Sequence, residues 1–185
     1  MKLIPNVSLP NAEHEPWKLE QFTIDKEDAM MALFHYKGRA PSPGTYTRLM
    51  RNRTVVMSDV PAEKRDHIDP VLNATGHILL NGLGIGMVLN ACLRKPEVTK
   101  ATVIEISQDL IDIVGPHYLT DKRVEIICAD AMNYAPPKGV RYGMVWHDIW
   151  DDICSDNLPD MHKLHRKYGK RADWQGSWAR WQCER

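Results

Sequence analysis

The rhythm of hydrophobic and polar positions changes once along the chain, and the change divides it into two parts. Residues Met1 to Pro16 are polar and proline-bearing, and read as an arm or irregular start. Asp25 to Tyr36 has helical spacing: Asp25 can cap, Asp28 follows three residues on, and Ala29, Met30, Leu33 and Phe34 form an apolar stripe. Lys37 to Gly44 holds Gly38, Pro41, Pro43 and Gly44 and is expected to be a loop. Thr45 to Met50 and Thr54 to Ser58 are β-prone runs separated by Arg51, Asn52 and Arg53, the pattern of a hairpin. Ala62 to Leu72 reads as a short helix.

After that point short apolar runs alternate with helical ones. Strands are expected at His77 to Asn81, Ala101 to Ile106, Val124 to Cys128 and Tyr142 to His147. Helices are expected at Met87 to Arg94 and Gln108 to Val114. Apolar strands of this kind are covered by helices on both faces, and their alternation with helices implies a parallel sheet with right-handed crossovers. The chain after Asp148 is short for the rest of such a sheet, so the sheet is expected to be abbreviated, with one more strand near Lys170 to Gln175. The division expected is an N-terminal arm, helix and hairpin over 1–60 and an α/β domain over 61–185.

Composition narrows the setting. With 43% hydrophobic and 26% charged residues, 185 residues can build a core of useful size. A formal charge of zero argues against bulk electrostatic binding to nucleic acid. Cys92, Cys128, Cys154 and Cys183 are widely spaced without a C-x-x-C, which reads as reduced, mostly buried thiols. No run approaches a signal peptide or a membrane span, and a soluble cytoplasmic protein is expected.

Candidate chemistry concentrates at strand ends. Ile78-Leu79-Leu80-Asn81-Gly82-Leu83-Gly84-Ile85-Gly86-Met87 reads as a strand, a glycine-rich turn and a helix start. Such a turn lies at the carboxyl edge of the sheet, where open α/β sheets bind ligands. Met87 stands where a dinucleotide fingerprint wants glycine or alanine, which tilts away from NAD and FAD, and the G-K-[ST] of a P-loop is missing. Glu105 ends the next strand near the offset at which an acid reaches ribose hydroxyls. Asp130, in Cys128-Ala129-Asp130-Ala131, follows the third strand and could accept from an exocyclic amine such as that of adenine. Each acid alone could be an ordinary exposed strand end; the three features after successive strands point together to an adenosyl ligand.

The stretch from Thr54 to Trp150 resembles the class I S-adenosylmethionine-dependent methyltransferase fold, and within it the spermidine-synthase-like branch. The resemblance rests on Gly82, Gly84, Gly86, Glu105, Asp130 and Asp148, with the hairpin before the sheet. It implies a Rossmann-like α/β domain that binds S-adenosylmethionine, or S-adenosylhomocysteine as product. The cofactor would be held by Asn81, Gly82, Leu83, Gly84, Gly86, Glu105, Ile106, Asp130 and Ala131. Asp148 would orient or deprotonate the acceptor, and Trp146, His147, Trp150 and Asp151 would wall its pocket. Methyl or aminopropyl transfer is displacement at carbon next to a sulfonium, driven mostly by alignment, and requires no metal. The chain departs from that branch in two places: Glu63 to His67 does not reproduce its tyrosine-histidine-glutamate patch, and His147-Asp148-Ile149-Trp150-Asp151-Asp152 replaces its Asp-Ser-Asp-Pro loop.

The expectation is therefore a methyltransferase on a small or amine-bearing acceptor. The alternatives are an aminopropyltransferase and a non-catalytic binding or assembly protein that keeps the fold. Five aspartates between Asp148 and Asp160 face a tail, Lys163 to Arg185, with seven basic and two acidic residues. These read first as two solvated faces pairing with each other, or else as an acidic rim for a cationic amine. His162 and His165, three apart, could share a helix face, and Trp174, Trp178 and Trp181 have the spacing of a helical stripe that could pack the last element or form a homodimer contact. Arg48, Arg51 and Arg53 are read as solvated, with a phosphate or carboxylate contact as the alternative.

Overall fold

The structure, a computed structural model, describes residues 3–35 and 38–185. In chain order the first strands are β1 (Ala12–His14), β2 (Trp17–Ile24), β3 (Gly44–Arg51) and β4 (Thr54–Ser58), which form an antiparallel sheet in that order. Helix α1 (Lys26–His35) links β2 to β3. The short helices α2 (Pro61–Asp66) and α3 (Ile68–Asn73) lead into β5 (Gly76–Asn81), α4 (Met87–Leu93), β6 (Val98–Glu105), α5 (Gln108–Val114), β7 (Val124–Cys128) and β8 (Tyr142–His147). The chain ends with α6 (Leu158–Tyr168), β9 (Ala172–Ser177) and α7 (Arg180–Cys183). The second sheet has the order β7-β6-β5-β8-β9, and every neighbouring pair is parallel.

Strand alternation explains how this sheet is covered on both faces. Ile78, Leu80, Ala101, Val103, Met144 and Trp146 pack on one face with residues of α4 and α5. Leu79, Ile104 and Val145 face the other way, against Leu164 and Tyr168 of α6. The antiparallel sheet joins the first core through Trp17, Leu19 and Leu49. It therefore sits over the same face as α4 and α5.

The N-terminal part differs most from its expected form. Residues 3–16 are no loose arm: Ile4, Val7 and Leu9 are buried, and β1 pairs with β2. Strand β2 was not anticipated, because its sequence Trp-Lys-Leu-Glu-Gln-Phe-Thr-Ile alternates charge with apolar residues and buries only Trp17 and Leu19 fully. Helix α1 begins as expected, with Asp25 Oδ1 accepting from the N–H groups of Glu27 and Asp28 at 2.8 Å. Its stripe does not face the core. Ala29 and Ala32 are buried, whereas Met30, Leu33 and Phe34 are exposed. Tyr36, the expected last residue of that helix, and Lys37 of the loop lie outside the described residues. The single helix expected over Ala62 to Leu72 is two, broken at His67.

The tryptophan stripe is not a helical face. Trp174 is on β9, Trp178 follows that strand, and Trp181 is in α7. Trp174 stacks on Trp146, with ring centroids 6.2 Å apart, and Trp181 is exposed under the Arg185 guanidinium. The helical spacing was accidental, so a subunit contact cannot be argued from it. The acidic and basic segments also do not pair as blocks: Lys163 reaches Asp160, but Lys167 binds the carbonyls of Ala131 and Met132, and Asp151 pairs with Arg51. Cys92 and Cys183 are buried, while Cys128 is exposed and Cys154 half-buried. Among the described residues no helix is long and apolar enough to cross a membrane.

One buried carboxylate ties the N-terminal segments together. Asp59 is fully buried; it accepts from Val7 N–H at 2.6 Å and Thr47 N–H at 2.8 Å, with Lys64 Nζ 3.8 Å away. Removing it leaves two buried donors unpaired. Asp59→Ala is expected to lower unfolding free energy by about 2–4 kcal/mol in urea titration, against about 1 kcal/mol or less for a substitution at exposed Met30.

Candidate functional site

The site is built where β5 and β8 end side by side. The Asp148 N–H donates to the Asn81 carbonyl at 2.8 Å, and the Gly82 N–H donates to the Ile104 carbonyl of β6 at 2.8 Å. These bonds hold three strand ends in one row. Gly82 has φ +102°, and a Cβ there would lie 2.0 Å from the Asp148 carbonyl oxygen. Only glycine allows this approach. Gly84, at φ +50°, leaves room for the Met57 thioether, whose sulfur accepts from Ile85 N–H at 3.2 Å. Gly86 makes room for the Tyr118 ring and opens α4.

Over this edge lies a cleft of about 230 Å³. It is lined by Gly82, Leu83, Gly84, Glu105, Ile106, Asp130 and Ala131, and also by Trp146, Asp148, Trp150 and Asp151. These sequence-predicted residues therefore meet in one place. Three do not line it. The Asn81 side chain is fully buried against His147, with its Nδ2 2.7 Å from His147 Nδ1. His147 points to the opposite face of β8 from Trp146, as strand alternation requires, and its Nε2 is 3.4 Å from Gln175 Oε1. Gly86 lies beneath the loop, against Tyr118. Their part is to carry the edge rather than to wall the cleft.

The acids are already engaged by backbone. Glu105 accepts from Leu83 N–H through Oε2 and from Ser107 N–H through Oε1, both at 2.9 Å. It thereby fixes the glycine turn against β6. Asp130 accepts from Met132 N–H at 2.8 Å and from Asn133 Nδ2 at 2.5 Å, closing the turn after β7. Each carboxylate oxygen has a further lone pair with which to meet a ligand.

The cleft also contains residues that sequence reasoning did not place there; for Arg51 it gave a carboxylate contact as the alternative to a solvated side chain, and the structure makes that contact with Asp151. The antiparallel sheet supplies Trp17, Leu49, Arg51, Val56 and Met57, and α2 with the following residue supplies Glu63 and His67. Trp17 Nε1 donates to Ser107 Oγ at 2.8 Å, while the Arg51 guanidinium lies over the Trp17 ring and pairs with Asp151. His67 is buried, with Nε2 2.9 Å from Asp148 Oδ2 and Nδ1 2.7 Å from the Glu63 carbonyl. Glu63 in turn accepts from the Ser58 N–H and hydroxyl at 2.7 and 2.6 Å. Burial holds the Glu63 carboxyl above the ordinary range, against the lowering effect of the Ser58 hydrogen bonds and the His67 charge. The only local sign of this group is a histidine at a helix junction, which does not reveal a partner 81 residues away.

His165 lies away from the cleft and is held by hydrogen bonds. His165 Nε2 is 2.9 Å from Ser177 Oγ, and Arg180 approaches its other nitrogen. Among the described residues no group of three His, Cys, Asp or Glu side chains is placed to hold a metal.

Two outcomes follow. Gly82→Ala is expected to cost about 2–4 kcal/mol in urea unfolding, combining positive-φ strain with displacement of the Asp148 backbone. His147 is pushed down to about 3, first by burial and then by the His165 charge, so the native state keeps it neutral where the unfolded chain protonates it. Stability should therefore decline as pH falls from about 6.5 towards 3, with a slope approaching 1.4 kcal/mol per unit from this group. His147→Gln should remove that contribution in pH-dependent melts.

No family model matches the chain. Among solved structures, the chain is similar to the N-methyltransferase NodS from Bradyrhizobium japonicum WM9, at 14% identity and a TM-score of 0.48, over 62% of this chain and 64% of that one. It is also similar to the 23S rRNA methyltransferase ErmE, at 15% identity and a TM-score of 0.46, over 58% and 41% of the two chains. An S-adenosylmethionine-dependent methyltransferase from Clostridium acetobutylicum ATCC 824 matches at 10% identity and a TM-score of 0.42, over 55% and 40%. The chain thus spans less than two thirds of the length of each.

Proposed function

We propose that the chain is an S-adenosylmethionine-dependent methyltransferase acting on a small or amine-bearing acceptor. The observation that carries this reading is the convergence in one cleft of the glycine turn, Glu105, Asp130 and Asp148, each at the carboxyl end of a different parallel strand. In this reading Gly82 to Gly84 carry the amino-acid part of the cofactor, Glu105 the ribose hydroxyls, and Asp130 with Ala131 the adenine. Ile106, exposed at the cleft, would cover the adenine from one side. Asp148 faces the sulfonium side and holds the acceptor in line with the transferred carbon.

The lining supports an acceptor bearing a positive charge or N–H groups. Glu63, Asp148 and Asp151 stand among Trp17, Trp146, Trp150 and Trp178. Carboxylates and indole faces both attract an ammonium. Arg51 favours methyl over aminopropyl transfer. It is the one Lys or Arg among the described residues lining the cleft, and its guanidinium can exchange Asp151 for the carboxylate that intact S-adenosylmethionine carries and the decarboxylated form lacks.

Calorimetric titration tests both parts. S-adenosylmethionine and S-adenosylhomocysteine are expected to bind and NAD is not. Glu105→Ala and Asp130→Ala should each weaken binding by about 1–3 kcal/mol, the scale of a hydrogen bond to a charged group. Arg51→Ala should weaken the intact cofactor by a similar amount, about 1–3 kcal/mol, and leave the decarboxylated form unchanged. Unaltered affinity in the Glu105 and Asp130 variants would overturn the cofactor placement. Preference of the wild type for the decarboxylated form would instead make the protein an aminopropyltransferase.

A further inference from the structure

His67 lies between two oxygens, and what they are dictates its protons. The Glu63 carbonyl, 2.7 Å from Nδ1, can only accept, so Nδ1 carries a hydrogen. Nε2 is 2.9 Å from Asp148 Oδ2, and one proton must occupy that contact. We propose that His67 is the positioning residue for Asp148: as an imidazolium it pins one carboxylate oxygen and leaves Oδ1 to orient the acceptor and receive its proton. This rests on the reading of the cleft as a cofactor and acceptor site.

Three features support the assignment. A histidine is a stronger base than an aspartate by more than two units in solution, roughly 6.5 against 3.9, so the shared proton belongs on nitrogen. The charged groups facing the ring are acids: Glu63 and Asp66 from α2 and Asp148 from the loop after β8, while β8 presents the Trp146 ring at 6.0 Å. Burial alone would favour neutral imidazole, but the Asp148 hydrogen bond and charge, followed by the Glu63 carbonyl, outweigh it and raise the group above its ordinary value.

The geometry also says what His67 does not do. Beyond the ring the line of hydrogen bonds ends on a peptide carbonyl, and the side chain is buried, so among the described residues no group behind it is placed to take a proton onward. His67 therefore fixes Asp148 rather than conducting from it. In the transfer, a lone pair on the acceptor nitrogen forms the bond to the carbon on sulfur, and the carbon–sulfur bond breaks with its pair going to sulfur. The proton shed by the acceptor goes to Asp148 Oδ1. The charge that began on the sulfonium passes with this proton to the Asp148 carboxylate, which becomes neutral, while the imidazolium keeps the charge it already carried, so the total is unchanged. Proton loss to solvent then occurs from the cleft side of Asp148.

The test is nitrogen-15 spectroscopy of histidine-labelled full chain, recorded without cofactor. At about pH 8, above the ordinary imidazole range, His67 is expected to show two protonated ring nitrogens, unlike an exposed histidine. Asp148→Asn is expected to return it to neutral imidazole at the same pH, and Asp148→Glu to retain the cation. A wild-type His67 that is neutral at that pH overturns the proposal, and so does a cation indifferent to Asp148→Asn. The wild-type spectrum decides the charge even where a variant does not fold. Because no cofactor is present, this result and the calorimetric one can fail separately.

Discussion

The cleft depends on one close approach, between the backbone of Gly82 and the carbonyl of Asp148. Parallel strands β5 and β8 end side by side there, and a side chain at Gly82 would fall inside the oxygen it faces. From that contact the chain leaves in two directions. One branch turns through Gly84 into α4 and is tied to β6 by Glu105. The other carries Asp148, Trp150 and Asp151 over the sheet edge. The glycine turn, Asp148, Trp150 and Asp151 are positioned by these two branches, and widening the gap between them would move both.

A second layer of control comes from the N-terminal sheet. The parallel sheet supplies acids and glycines, which it positions with its own backbone hydrogen bonds. The antiparallel sheet lies over the same face and adds Trp17, Arg51 and Met57, and the polypeptide between the sheets adds Glu63 and His67. Several of these contacts are clasps between the two: Trp17 to Ser107, Arg51 to Asp151, His67 to Asp148 and Met57 to Ile85. The electrostatic character of the site arises from their combination. Carboxylates outnumber the cations among the residues lining the cleft, with indoles beside them.

Glycine needs care as a signal. The space beside each of the three glycines after β5 is filled by the protein's own atoms: the Asp148 carbonyl, the Met57 thioether and the Tyr118 ring. The turn geometry alone would require glycine at these positions. What argues for a ligand is the row of acids beside the turn. The tryptophan series shows the same hazard, since a spacing that fits a helix occurred where a strand, a loop and a single helical turn follow one another.

The sequence by itself determined the parallel sheet, helices α4 and α5, the hairpin and the row of residues at strand ends, because each depends on local periodicity and on turn chemistry within a few residues; it did not mark α6, which crosses between β8 and β9. The five strands of that sheet fall close to where alternation and apolar runs place them. It did not determine β2, whose one buried face is thinly apolar, or the direction in which α1 turns its stripe. Nor could it pair His67 with Asp148, Trp17 with Ser107 or Arg51 with Asp151, which are 81, 90 and 100 residues apart. Tertiary structure decided these, as it decided that Asn81 and His147 face each other beneath the edge. Periodicity says which face of an element is apolar; which side chains meet across a cleft depends on how separate elements are stacked, and no local pattern records that.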